Sequence, residues 1–164
     1  MKNNKSNVID MHVIKRNGKK EVISFDKILK RIKILGKELN IQNITYAQLA
    51  MKVIDQLKDN ISTTHIDELT AEQCASMASV HPDYSKLASA ITISNLHKNT
   101  SSCFHETIKK LYDFKDVNNN EYKLIHENIM NVVENNKELL DQMIDYKRDY
   151  LFDYFGFKTL ERAY

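Results

Sequence analysis

His12-Val13-Ile14-Lys15-Arg16-Asn17-Gly18-Lys19-Lys20-Glu21-Val22-Ile23-Ser24 decides how the rest of the chain is read. An Asn-Gly step between two short runs that hold β-branched residues is the strongest short-range signal for a β-hairpin, because both residues accept the positive φ that a tight turn demands. Apolar and polar residues alternate imperfectly along the two arms, so the hairpin is predicted without a fixed register. It cannot bury its apolar side alone. The segments that follow must therefore supply the surface on which it lies.

Four helical patterns follow. Asp26 is a candidate cap for a helix running to about Lys37, with Ile28, Ile32, Leu35 and Leu39 on one face. Thr45-x-x-Gln48 reads as a capping box before a second helix with Leu49, Val53 and Leu57 inward. Thr64-x-x-Asp67 opens a third, carrying Leu69, Cys74, Met77 and Ala78. Pro82 suits the first turn of a fourth, which ends near Lys98 and turns Leu87, Ile91 and Leu96 inward. Residues 11 to about 100 thus read as a small helical bundle covered by a β-hairpin. Helical patterns continue over Ser102–Tyr112 and Tyr122–Val133. Between them Asp116-Val117-Asn118-Asn119-Asn120 is a loop and a candidate domain boundary.

Composition removes several function classes. The chain of 164 residues, 42% hydrophobic and 28% charged, holds one domain or one domain and part of another. Its three glycines, Gly18, Gly36 and Gly156, are too dispersed for a dinucleotide fingerprint or a P-loop. Its two cysteines, Cys74 and Cys103, form no CxxC pair, so a zinc ribbon is excluded and a reducing compartment is expected. No apolar run approaches the roughly 18 residues a membrane span needs. Met1 to Asp10 is polar, lacks a signal peptide's apolar core, and is expected to be a flexible tail.

Charge is uneven. Nine Lys/Arg and two acids lie between Met11 and Lys37, giving that segment +7; with a total of +2, the remainder carries −5. Such a block implies an anionic partner: phosphate, nucleotide or nucleic acid. Lys30, Arg31, Lys33 and Lys37 read as the solvated face of the first helix. Lys15, Arg16 and Lys27 sit on the hairpin and at the helix start.

Val13-Ile14-Lys15-Arg16-Asn17-Gly18, with Glu21 and Phe25-Asp26-Lys27-Ile28, resembles the opening of an ATP-cone. His81-Pro82-Asp83-Tyr84 and Ser94-Asn95-Leu96-His97-Lys98 resemble the same domain in the large subunit of class I ribonucleotide reductase. Tyr154-Phe155-Gly156-Phe157-Lys158-Thr159-Leu160-Glu161-Arg162 resembles the start of that subunit's helical N-terminal region, in its eukaryotic-like form. The resemblance implies a mainly α fold. Residues 11–100 would be the cone, a four-helix bundle under a small β-hairpin or sheet, and residues 101–164 the helical start of the reductase region. It implies an allosteric activity site that takes ATP as activator or dATP as inhibitor, with Mg²⁺, and so controls deoxyribonucleotide synthesis. Lys15 and Arg16 match its basic pair. Glu21, Val22, Ile23, Ser24, Phe25, Asp26 and Lys27 match the segment that wraps the nucleotide, Val22, Ile23 and Ser24 through backbone alone. Thr63 and Asp67 match positions at the start of the third helix, and Lys98 the lysine that ends the fourth. The implied partners are the rest of the large subunit, a large-subunit homo-oligomer and a small radical-generating subunit. No membrane and no direct nucleic-acid contact is implied, and the setting is cytoplasmic. In that family the catalytic cysteines and their barrel lie downstream, so no catalytic residue and no metal ligand is expected here.

Chemistry agrees, because a triphosphate, with about four negative charges, needs convergent cations and backbone N–H donors. Plainer readings stay open at each position. Lys98 matches a helix-end dipole, Asp67 a capping-box acid, and Thr63 and Thr64 compete for the cap. Cys74 reads as a small core residue, and His97 and His105 as ordinary. Seven of the fourteen aromatics fall in the last nineteen residues, Tyr146 to Tyr164. They are expected to join a core completed by further sequence; a closing helix docked on the bundle is the alternative. Two other functions fit parts of the pattern: a repressor that senses nucleotides through a cone, disfavoured by the missing zinc ribbon, and a basic helical module that binds nucleic acid.

Overall fold

The computed structural model describes residues 11–163, so the expected tail and Tyr164 lie outside the described residues. The chain divides into two compact units, one of residues up to Asn95 with the segment from Phe152 onward, the other Leu96–Leu151.

In the first unit, strands β1 (His12–Ile14) and β2 (Lys20–Val22) pair antiparallel, His12 opposite Val22 and Ile14 opposite Lys20. Lys15 N–H donates to Lys19 O, Gly18 N–H donates to Lys15 O, and Gly18 takes φ 77°. The connection is therefore a turn over Lys15–Gly18 followed by a glycine bulge, the three-residue hairpin loop. This extra residue fixes the face: Val13, Lys15 and Glu21 share one side of the ribbon, and His12, Ile14, Lys20 and Val22 the other. A third strand, β3 (Ile61–Ser62), runs parallel to β1 and completes the order β2-β1-β3. Two residues are too few for a periodic signal, so sequence reading stops at the hairpin.

The four helices of this unit are α1 (Phe25–Glu38), α2 (Tyr46–Ile54), α3 (Thr63–Ser76) and α4 (Pro82–Asn99), the last reaching past Asn95. They bury Ile32, Leu49, Val53, Cys74, Leu87 and Ile91 almost completely, and Val13 and Ile23 pack on that cluster. The mainly α bundle under a small sheet is therefore as expected, and Cys74 is a core residue whose thiol pKa is pushed up by burial. Gly36 is buried on α1 because a Cβ there would collide with the Tyr46 ring and hydroxyl on α2.

Three capping assignments are corrected. Ser24, not Asp26, holds the N-cap position of α1, and Asp26 lies in its first turn. Thr45 caps α2 by position, with no side-chain cap bond. Ser62, not Thr63 or Thr64, caps α3: its hydroxyl accepts from His65 N–H at 3.0 Å. Asp67 is thereby freed of any capping duty and faces inward, 6% exposed.

The second unit holds α5 (Phe104–Tyr112), α6 (Glu127–Asn135), α7 (Lys137–Met143) and a 3₁₀ turn (Tyr146–Leu151). The helix expected from Tyr122 begins only at Glu127, because His126 caps it there through Nδ1. The Asp116–Asn120 loop lies within this unit. Asp116 accepts from the N–H groups of Asn118 and Asn120 and closes a bridge between Lys115 and Glu121. His97 is more engaged than expected, with Nε2 at 2.7 Å from Asp149 and its ring edge-on to Tyr146 and Tyr150. In α8 (Tyr154–Ala163), within the first unit, Tyr154 joins the bundle core and Phe157 is buried, whereas Phe155 is exposed.

Candidate functional site

Five of the twelve sequence-predicted residues fall into two polar clusters on the first unit, both organised by a carboxylate. In the outer cluster Glu21, at mid-strand in β2, meets Lys15 at 2.6 Å and Lys27 at 3.1 Å. The bulged hairpin explains why: it turns Glu21 and Lys15 to the same face, and Lys27 rises from the first turn of α1. The two ammonium hydrogen bonds hold the Glu21 carboxyl below the usual carboxylate range. All three side chains are solvent-accessible, so these pairs are weak in energy and free to rearrange around an anion.

The inner cluster is centred on Asp67 of α3. Arg16, from the hairpin loop, donates from Nη2 to Asp67 Oδ2 at 3.2 Å and also to Asn95 Oδ1. Arg31, from the second turn of α1, donates from Nε and Nη2 to the two oxygens of Asp67, each at 3.4 Å, and from Nη2 to Ser94 Oγ at 2.9 Å. Asn95 is itself buried and donates to the Thr64 carbonyl at 3.4 Å. One carboxylate thus faces two guanidinium groups, with α4 supplying neutral partners to each. Charge-assisted hydrogen bonds of this kind contribute roughly 1.5–3 kcal/mol each when shielded.

Of the other predicted residues, Ile23 uses its N–H on the Met11 carbonyl at 2.8 Å, which fastens the end of β2. Ser24 O receives the N–H groups of Lys27 and Ile28. Val22 and Phe25 expose about half of their surface, at 53% and 47%, Val22 on the face of the ribbon opposite Glu21. Asp26 is exposed in the first turn of α1. Thr63 opens α3, one turn before Asp67. Lys98 is exposed on the last turn of α4, one turn beyond Ser94 and Asn95 along that helix.

Arg31 is the main correction. Grouped with Lys30, Lys33 and Lys37 it reads as solvated, yet its side chain is only 25% exposed and bonded to Asp67. At 100° per residue it stands about 60° from Ile28 on the helix circumference, whereas those lysines stand about 140–180° away. The signal was present in that spacing, and in its position one turn after Lys27. Ser94 and Asn95 carried no chemistry-bearing pattern of their own.

The first unit thus carries exposed cations paired to Glu21 and, separately, a half-buried ionic network around Asp67. It suits a polyanion with a polar body. Among the described residues no group of His, Cys, Asp and Glu is placed to hold a metal ion, and no helix is long and apolar enough to cross a membrane.

The ATP cone domain family matches residues 11–99. The chain is 46% identical over 154 residues to the ribonucleoside-diphosphate reductase large subunit of Plasmodium falciparum, covering 94% of this chain and 19% of that protein. It is 44% identical over 155 residues to the large subunit of Variola virus, with 94% and 20% covered. Against ribonucleoside-diphosphate reductase large chain 2 of Saccharomyces cerevisiae it is 43% identical over 155 residues, with 94% and 18% covered. The chain thus spans about a fifth of the length of the curated relatives it matches.

Proposed function

This chain belongs to the ATP-cone family, and on that premise we propose that it is the allosteric region of a ribonucleoside-diphosphate reductase large subunit. It takes ATP, which activates the complete enzyme, or dATP, which inhibits it. The observation that carries this reading is that the matched unit brings Lys15 and Lys27 to Glu21 and Arg16 to Asp67. A triphosphate with about four negative charges draws the three cations off their carboxylates and gains the backbone N–H groups that open α1 ahead of Lys27. The exposed ring of Phe25 offers an apolar surface to the base. Thr63 and Asp67 serve the sugar side, Lys98 serves phosphate, and Mg²⁺ offsets the remaining phosphate charge.

The chain itself reduces no nucleotide. Its partners are the rest of the large subunit, further copies of that subunit and a small radical-generating subunit, in the cytoplasm. The cone acts by shifting an equilibrium between active and inactive assemblies, with a coupling of about 1–3 kcal/mol.

Isothermal calorimetry on the 164-residue chain tests the reading. ATP and dATP are expected to compete for one site, each more tightly with Mg²⁺ present. A folded chain that ignores both at millimolar concentration overturns it. Steeply salt-dependent binding of oligonucleotides instead points to a nucleic-acid module.

A further inference from the structure

Arg31 is the one cation of the inner cluster that comes from a rigid element's interior. Arg16 stands on a hairpin loop, its side chain is 29% exposed, and it donates to both Asp67 and Asn95. Arg31 stands in the second turn of a fourteen-residue helix, addresses both oxygens of Asp67 through two nitrogens, and is pinned from the far side by Ser94. An aspartate buried to 6% exposure needs a charged partner at all times, since leaving a buried charge unpaired is strongly destabilising. Two guanidiniums on one such carboxylate therefore differ in role: the loop-borne one can leave only because the helix-borne one stays.

We propose that Arg31 is a positioning residue of the effector pocket: by holding the Asp67 carboxylate in place through both of its oxygens, it releases Arg16 to bind the anionic ligand. This rests on the nucleotide-binding reading above and extends it to a residue outside the Lys15, Arg16, Glu21–Lys27, Thr63, Asp67 and Lys98 set. In the ligand-free chain Arg16 and Arg31 share Asp67. When phosphate arrives, Arg16 exchanges one charge-assisted partner for another, and Arg31 keeps both of its contacts. Without Arg31 the carboxylate has Arg16 as its remaining guanidinium, and phosphate must compete against a buried aspartate for it.

The test is a double-mutant cycle read by calorimetry on the full chain, with ATP and dATP as probes and thermal melting to verify folding. Arg31→Gln is expected to weaken both nucleotides by about tenfold, the scale of one charge-assisted hydrogen bond. Arg31→Lys, which keeps the charge, recovers most of that loss even if Arg31→Gln folds poorly. In an Asp67→Asn background Arg31→Gln is expected to change affinity less than about twofold, because no carboxylate remains to retain Arg16. An equal loss in both backgrounds means that Arg31 touches the ligand itself and overturns the proposal. So does binding by the Arg31→Gln chain at full affinity, or failure of Arg31→Lys to recover it. An intact chain that binds neither nucleotide overturns the underlying reading as well, so the two failures are told apart by the unmutated protein.

Discussion

Asp67 carries two readings in the sequence, a capping acid and a site position of the family it resembles, and the structure takes it off the cap. Its spacing from Thr64 makes it a capping acid; its burial and two arginines make it the hub of the inner cluster. ATP and dATP differ by one hydroxyl, and a single neutral hydrogen bond is worth about 0.5–1.5 kcal/mol. Asp67→Asn keeps the shape and an acceptor oxygen but gives up the charge that orders both guanidiniums. The ratio of ATP to dATP affinity, measured by calorimetry, is expected to change by a few-fold to about tenfold; an unaltered ratio would place the discrimination elsewhere. Glu134, at the end of α6, shows a second residue-scale effect. Lys137 at 2.6 Å, and then His105, hold its carboxyl down to about 2 from the ordinary 4.5. A depressed carboxylate contributes stability that is complete above its unfolded pKa and is lost as pH falls through the folded one. That contribution should fade between about pH 4.5 and 2. Carboxyl NMR should give a Glu134 midpoint near the lower figure, and Glu134→Gln should flatten acid unfolding in that window.

At the level of elements, α1 does three things with three faces. Ile28, Ile32 and Leu35 enter the core, Arg31 borders them and reaches Asp67, and Lys30, Lys33 and Lys37 remain solvated. Its close approach to α2 depends on Gly36. Gly36→Ala drives a methyl into the Tyr46 ring, whose hydroxyl is engaged by the Ile41 carbonyl at 2.6 Å and cannot simply swing away. Overpacking of this kind costs about 1–3 kcal/mol, a midpoint drop of roughly 2–12 °C for a chain of this size. Differential scanning calorimetry checks it, and Gly36→Ala with Tyr46→Phe should recover part of the loss. The four helices were legible because each carries a long apolar stripe with a start signal, such as Pro82 for α4. The pairing face of the hairpin was not legible, since Asn17-Gly18 is compatible with more than one loop length and one residue reverses every side chain. The strand β3 was too short to show a period, and Ser62 outcompeted two adjacent threonines for the α3 cap through geometry alone. Members of the two clusters that stand at motif positions were therefore visible, while Arg31, Ser94 and Asn95 required the helices to be placed together in space.

For the molecule as a whole, ligand binding and stability are one quantity. A nucleotide that binds the folded first unit and ignores the unfolded chain stabilises whatever unfolds with that unit by RT ln(1 + [L]/Kd), about 2.7 kcal/mol at a hundred times Kd. Every predicted site residue except Lys98 belongs to that unit, so the linkage acts there first. At roughly 2–4 °C per kcal/mol for a chain of this length, saturating ATP with Mg²⁺ should raise the thermal midpoint by roughly 5–11 °C. Adenosine should do so far less, because it offers nothing to Lys15, Arg16 and Lys27. Removing Lys15 or Lys27 singly should shrink the shift without lowering the midpoint of the free protein much. The Lys15 and Lys27 pairs with Glu21 are exposed and contribute little to stability in themselves. Arg16→Ala should behave differently, lowering the free midpoint as well, because it strips one guanidinium from the buried Asp67. A fluorescence melt of the three variants with and without ATP separates the two kinds of cation. If Lys15→Ala and Lys27→Ala leave the ATP-induced shift intact, the outer cluster is a pair of ordinary surface salt bridges and the phosphates lie elsewhere.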